Sequence, residues 1–101
     1  MKLLVVLSIQ EYRAEVSKLL EEAGITIFSV SDTTGYKKRE YNVGWFGSAN
    51  GKTNSIVMFS FTDADSAHKA IENINQCNLD KGTSFPVRGF VLNVEEFSKM
   101  M

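Results

Sequence analysis

Three consecutive cations, Lys37-Lys38-Arg39, lie in a 20-residue stretch from Gly35 to Asn54 that also holds Tyr36, Tyr41, Trp45, Phe46, Lys52 and four glycines. Residues of these types suit contact with something outside the chain. Cations meet phosphate or carboxylate groups, glycine lets a backbone approach a ligand closely, and aromatics outside a core belong to contact surfaces. Just before the stretch, Asp32, Thr33 and Thr34 add a carboxylate and two hydroxyls. Two uses of the cations compete with a solvated loop: an anionic effector, or the acidic surface of a partner. The aromatics have a packing role open to them as well. Tyr41, Val43 and Trp45 alternate, and Asn50-Gly51 is a hairpin-turn pair, so a ribbon packed on a neighbouring subunit stands beside partner docking.

The remaining chemistry-bearing residues do not converge. His68 and Cys77 are nine apart, which is no standard zinc spacing. Cys77 falls on an apolar helix side as a small buried thiol. His68 lies one step off the apolar stripe, a partly buried or surface histidine. Asp63 and Asp65 sit where a helix start favours capping oxygens and negative charge. Met100 and Met101 offer soft sulfur at the end of the sequence. Ser29 and Ser60 have no base near them in sequence. No nucleophile and base are assembled, so an enzyme is not expected.

The elements that must hold the 35–54 stretch follow from periodicity. Lys2 to Leu7 reads as a first strand rather than a signal peptide. Ser8 and Glu11 make a capping-box signature, and Ile9, Tyr12, Val16, Leu19, Leu20 and Ala23 form one helical stripe ended by Gly24. Ile25 to Ser31 is a second strand and Ser55 to Phe61 a third. A second helix follows from Thr62 with Ala67, Ile71 and Ile74 inward, and a last strand lies between Val87 and Val94. The order is βαββαβ, an α+β ferredoxin-like domain over residues 1–101: a four-stranded antiparallel sheet with two helices on one face. A net charge of −1 excludes general nucleic-acid binding, and no stretch is apolar for long enough to insert in a membrane. One cysteine suits a reducing cytoplasm.

The strands themselves add a constraint. Leu3, Val5 and Leu7 oppose Leu4 and Val6, and Val57, Phe59 and Phe61 oppose Ile56 and Met58, so both sheet faces are apolar. Helices can cover only one of them. The other requires a cover, and a second copy of the sheet is the economical one. A homo-oligomer is expected.

On KLLVVLSI, LLEEAGIT, SVSDTTGYKKRE, SIVMFSFTDADSAHKAIENI and VRGFVLNVEEF, most of the chain resembles the nitrogen-regulatory PII signalling superfamily. The resemblance implies a homotrimer with sheets facing inward. It also implies a small effector, such as an adenine nucleotide or another small anion, in clefts between subunits. Its long loop after strand two, the T-loop, docks on a membrane transporter or a metabolic enzyme. Carried over, Asp32, Thr33, Thr34, Gly35, Tyr36, Lys37 and Lys38 line the cleft with Arg88, and Arg39, Tyr41, Trp45, Phe46 and Lys52 face the partner. No cofactor is implied. The chain departs from the nucleotide-binding members after helix two, where NLDKGTSFPVRG replaces a glycine-rich loop, and after the last strand, where Glu95 and Glu96 replace basic residues. A divergent PII-like branch fits this pattern. The runner-up is a CutA-like metal-tolerance or metal-efflux accessory protein of the same fold, using Cys77, His68 or the terminal methionines.

Overall fold

A computed structural model describes residues 1–36 and 52–99. β1 (Lys2–Ile9) leads through a 3-10 turn (Gln10–Tyr12) into α1 (Arg13–Glu22); β2 (Ser29–Tyr36), β3 (Lys52–Thr62), α2 (Ala64–Lys81) and β4 (Arg88–Asn93) complete the order. The sheet runs β2-β3-β1-β4 with every neighbour antiparallel. This is the expected βαββαβ ferredoxin-like arrangement.

Strand alternation sorts the sheet into two faces. Leu4 and Val6 of β1 and Ile56 and Met58 of β3 are buried under Val16 and Leu20 of α1 and Ala70 and Ile74 of α2. The opposite face is formed by rungs that cross the sheet. Phe61, Leu3 and Leu92 make one; Ser29, Phe59, Val5 and Phe90 the next; Ser31, Val57, Leu7 and Arg88 a third. Leu7 is buried, but Phe61 is 59% exposed, Leu92 48%, Phe90 42% and Phe59 37%. On the second apolar face these four side chains therefore keep more than a third of their surface exposed.

Three boundaries differ from the sequence reading. Ser8 is not a helix cap: it is buried in β1 opposite Ile56, and its Oγ donates to the Ile9 carbonyl at 3.0 Å. Two more ladder rungs win over an early helix start, and α1 begins only at Arg13. β2 does not occupy Ile25 to Ser31. Ile25 is buried and Phe28 packs against the core, but pairing begins at Ser29 opposite Phe59 and runs to Tyr36 opposite Lys52. Gly35, Tyr36, Lys52, Thr53 and Asn54 are consequently strand residues, where a loop was expected from residue 35 to 54.

The end of α1 and the start of α2 follow their sequence signals. Gly24 adopts φ 89° after α1, with Gly24 N–H donating to Glu21 and Ile25 N–H to Leu20, both at 2.9 Å. That is the left-handed stop that glycine permits. At the start of α2, Asp63 Oδ2 accepts the Ser66 backbone N–H at 2.9 Å, and this bond holds the carboxyl below its ordinary 3.8. A depressed folded value means that the cap stabilises the fold above the unfolded value and that this contribution fades as pH falls through the folded one. Thermal melts of wild type should thus lose melting temperature below about pH 4. Asp63→Asn should keep the cap and flatten that part of the acid dependence, whereas Asp63→Ala should melt lower at neutral pH.

Candidate functional site

The strand register fixes where the expected effector residues stand. Asp32 and Thr34 pair with Ile56 and Asn54, on the helix side of the sheet; Thr33 pairs with Ser55 on the other side. Gly35 and Tyr36 continue β2 opposite Thr53 and Lys52. Lys37, Lys38, Arg39, Tyr41, Trp45 and Phe46 lie outside the described residues. The β2–β3 ribbon therefore leads directly into the cationic and aromatic stretch.

Asp32 is already engaged. Arg13 Nη2 donates to its Oδ1 at 3.0 Å, with the two side chains 47% and 73% exposed. An exposed pair of this kind contributes little stability. Its interest is positional, because it sets a guanidinium beside the strand that enters the 37–51 stretch. Sequence reasoning did not select Arg13. The sequence carried no signal for it, because a helix read from Ser8 puts Arg13 beyond the first turn; only the later start of α1 makes Arg13 a cation at a helix N-terminus.

Arg88 is not brought to Asp32–Tyr36 within one chain. It opens β4 opposite Leu7, and the rung then passes through Val57 to Ser31. Three strand spacings separate β4 from β2, about 14 Å. What positions Arg88 is Asn78 of α2, which donates to the Val87 carbonyl and accepts the Val87 N–H, both at 2.9 Å. This two-way clamp was not read from the sequence, where Asn78 looks like an ordinary polar helix residue.

The other polar candidates are occupied or apart. Ser60 donates from Oγ to the Ile27 carbonyl at 2.6 Å, a structural bond, and Ser29 is exposed on the open sheet face. His68 is exposed on α2. Cys77 is half-buried rather than in the core, in a groove of about 400 Å³ between the helices that Glu15, Leu19, Asn73, Gln76 and Lys81 also line. Burial pushes its thiol up, and Glu15 pushes it further. A thiol shifted that way is a poor nucleophile at neutral pH. Lys81 is raised chiefly by its 2.7 Å bond to Glu15 and lies 4.5 Å from the centre of the Tyr12 ring. Among the described residues no group of three or more His, Cys, Asp or Glu side chains is placed to hold a metal ion. Among them, too, no helix is long and apolar enough to cross a membrane.

This arrangement of sheet, helices and ribbon is a ferredoxin-like fold, which solved structures of other proteins share. A DUF3240 family protein of Shewanella baltica superposes with a TM-score of 0.68 at 12% identity, over 99% of this chain and 96% of its own. A candidate PII-like signalling protein of Thermus thermophilus superposes with a TM-score of 0.67 at 13% identity, over 92% and 85%. At these identities the likeness is one of fold. No protein-family model matches the sequence, and no curated protein matches it either.

Proposed function

We propose that the protein is a non-enzymatic, cytoplasmic PII-like regulator. It works as a homotrimer, binds a small anionic effector in the clefts between subunits, and acts on a transporter or metabolic enzyme through the 35–54 segment. One observation carries the reading: an apolar sheet face, with Phe59, Phe61, Phe90 and Leu92 all more than a third exposed in a lone chain. Contiguous apolar surface of this kind marks an interaction site. Three sheets turned toward one another cover it and leave seams between copies. In such a seam Arg88 of one copy can complete the set 32–38 of the next, which its distance from β2 prevents within one chain. An adenine nucleotide is one effector of suitable charge, and Arg39, Tyr41, Trp45, Phe46 and Lys52 are the surface offered to the regulated partner.

A ligand shifts a conformational equilibrium only by binding its states with different affinity, and binding to the folded state raises the melting temperature. Native mass measurement at micromolar concentration should give three times the 11.3 kDa chain mass. Thermal melts against nucleotides, cyclic nucleotides, bicarbonate and small carboxylic acids should then show one class that raises the melting temperature, and the shift should vanish in Arg88→Gln. No shift from any of them at saturation overturns the effector half. A single-chain mass overturns the assembly.

A further inference from the structure

Arg13 is the first residue of α1, where the 3-10 turn hands over to the helix and the Tyr12 side chain makes no cap. A positive charge there works against the helix dipole, so its place does not serve helix stability. It stands instead at the electropositive end of the helix, and both attract an anion. The guanidinium holds Asp32 through a single hydrogen bond, Nη2 to Oδ1 at 3.0 Å, and bonds no other described residue. A guanidinium has five N–H donors, arranged in a fork that matches two oxygens at once. Most of that capacity is unused here. With the two side chains 47% and 73% exposed, the pair is open to exchange.

Strand register sets two more polar side chains near Asp32. Thr34 is two residues further along β2 and so on the same helix-side face, about 7 Å away at the strand rise per residue. Asn54 of β3 stands opposite Thr34, a pairing that brings Cβ atoms to about 4.5–5.5 Å. Both residues are exposed, and neither side chain hydrogen-bonds another described residue. A hydroxyl and an amide are donors as well as acceptors. Guanidinium, hydroxyl and amide together are a donor set for an oxyanion, and the Asp32 carboxylate is the oxyanion that the chain itself supplies.

We propose that Arg13 is an effector-binding cation, and that Asp32 occupies it until a phosphate or carboxylate group of the effector takes the place of the Asp32 carboxylate. The incoming group receives the guanidinium fork, Thr34 and Asn54 flank it as further donors, and Asp32 is released to water. The inference rests on the effector reading above and deepens it: Asp32 belongs to the site as a competitor of the effector rather than as a contact. The exchange replaces a one-bond pair by a two-bond one, which favours an oxyanion with two oxygens free to face the fork. An exposed ion pair holds only weakly, so displacing it takes little from the affinity of the effector.

The test is titration calorimetry on the full chain with inorganic pyrophosphate and, separately, with succinate. Arg13→Gln should weaken whichever probe binds by about tenfold or more, as expected for the loss of a charge-assisted bond. Asp32→Ala should tighten it about two- to fivefold, the worth of an exposed pair. That gain should be absent when Asp32→Ala is combined with Arg13→Gln. Circular dichroism should show all three variants folded, because both side chains are exposed. An Arg13→Gln protein that binds as wild type does overturns the assignment of Arg13 and leaves the effector reading to the other cations. A failure of Asp32→Ala to tighten binding, or a gain that persists in the double variant, overturns the exchange, since Asp32 then acts by charge repulsion or not at all. A wild type that binds neither probe overturns the inference, while the melts described above decide the effector reading separately.

Discussion

Phe61→Asp/Leu92→Asp should sediment as a folded single chain at concentrations where wild type is assembled. The two positions flank Leu3 on one rung of the open face and are 59% and 48% exposed without a partner. Much of their burial is thus still to come, and replacing them costs association more than folding. Fully burying a large apolar side chain is worth roughly 1.5–3 kcal/mol; with about half of each still exposed, the two together remove about 1.5–3 kcal/mol per copy, on the order of 10–10²-fold in affinity. Buried carboxylates add a further desolvation penalty. Circular dichroism should keep its helical signal, and the melt should stay cooperative, because neither residue faces α1 or α2. Retention of the wild-type mass by a folded double variant would show that some other surface holds the copies together.

The two-sided strands made this face legible from the sequence, and the reason is simple. A lone face of a one-sided α+β sheet should alternate apolar with polar, while Leu3, Val5, Phe59 and Phe61 break that rule in the two central strands. Register supplied what pattern could not. Sequence periodicity ended β1 at Leu7 and placed β2 from Ile25, since β-branched ITIF looks more strand-like than SDTT. Pairing with β3 decided otherwise: polar Asp32, Thr33 and Thr34 are carried into the sheet by Ile56, Ser55 and Asn54 opposite them. Local propensity is a weak vote against a ladder that is already forming.

The candidate site was legible in part, and for a related reason. Residue types at 32–39 suit an anion, an acidic partner surface or a solvated loop, and nothing in the spacing revealed that Asp32 is held by Arg13, or that Asn78 of α2 clamps the backbone of Val87 just before Arg88. Both are side-chain contacts between elements distant in sequence. Their geometry depends on how a helix crosses a strand, which a single chain of letters does not encode locally. Charge gave no clue in the first case, since a helix read from Ser8 puts Arg13 beyond its first turn. In the second there was none, because amide side chains serve a helix surface and a backbone clamp equally well.

Gly89 and Ile74 should prove energetically coupled. Gly89 lies on β4 directly beneath α2, and a Cβ there would meet Ile71 Cδ1 at 2.8 Å and Ile74 Cδ1 at 3.0 Å. The missing side chain lets the helix sit close over the edge strand. Ile74 itself is 2% exposed. Ile74→Ala opens a cavity in the core and should cost about 2–5 kcal/mol, a large part of the roughly 5–15 kcal/mol that holds a domain of this kind folded. Gly89→Ala overpacks the same place and should cost about 1–3 kcal/mol, less if the two isoleucine tips can rotate aside. Together the two changes partly cancel, because shortening Ile74 removes one of the two atoms that the new methyl would strike. Urea unfolding of the four proteins in the cycle should therefore show the double variant more stable than the sum of the single losses by at least about 0.5 kcal/mol, beyond the scatter seen for independent sites. Strict additivity would mean that α2 does not rest on β4 through these two residues, and that the close approach of helix and strand has another origin.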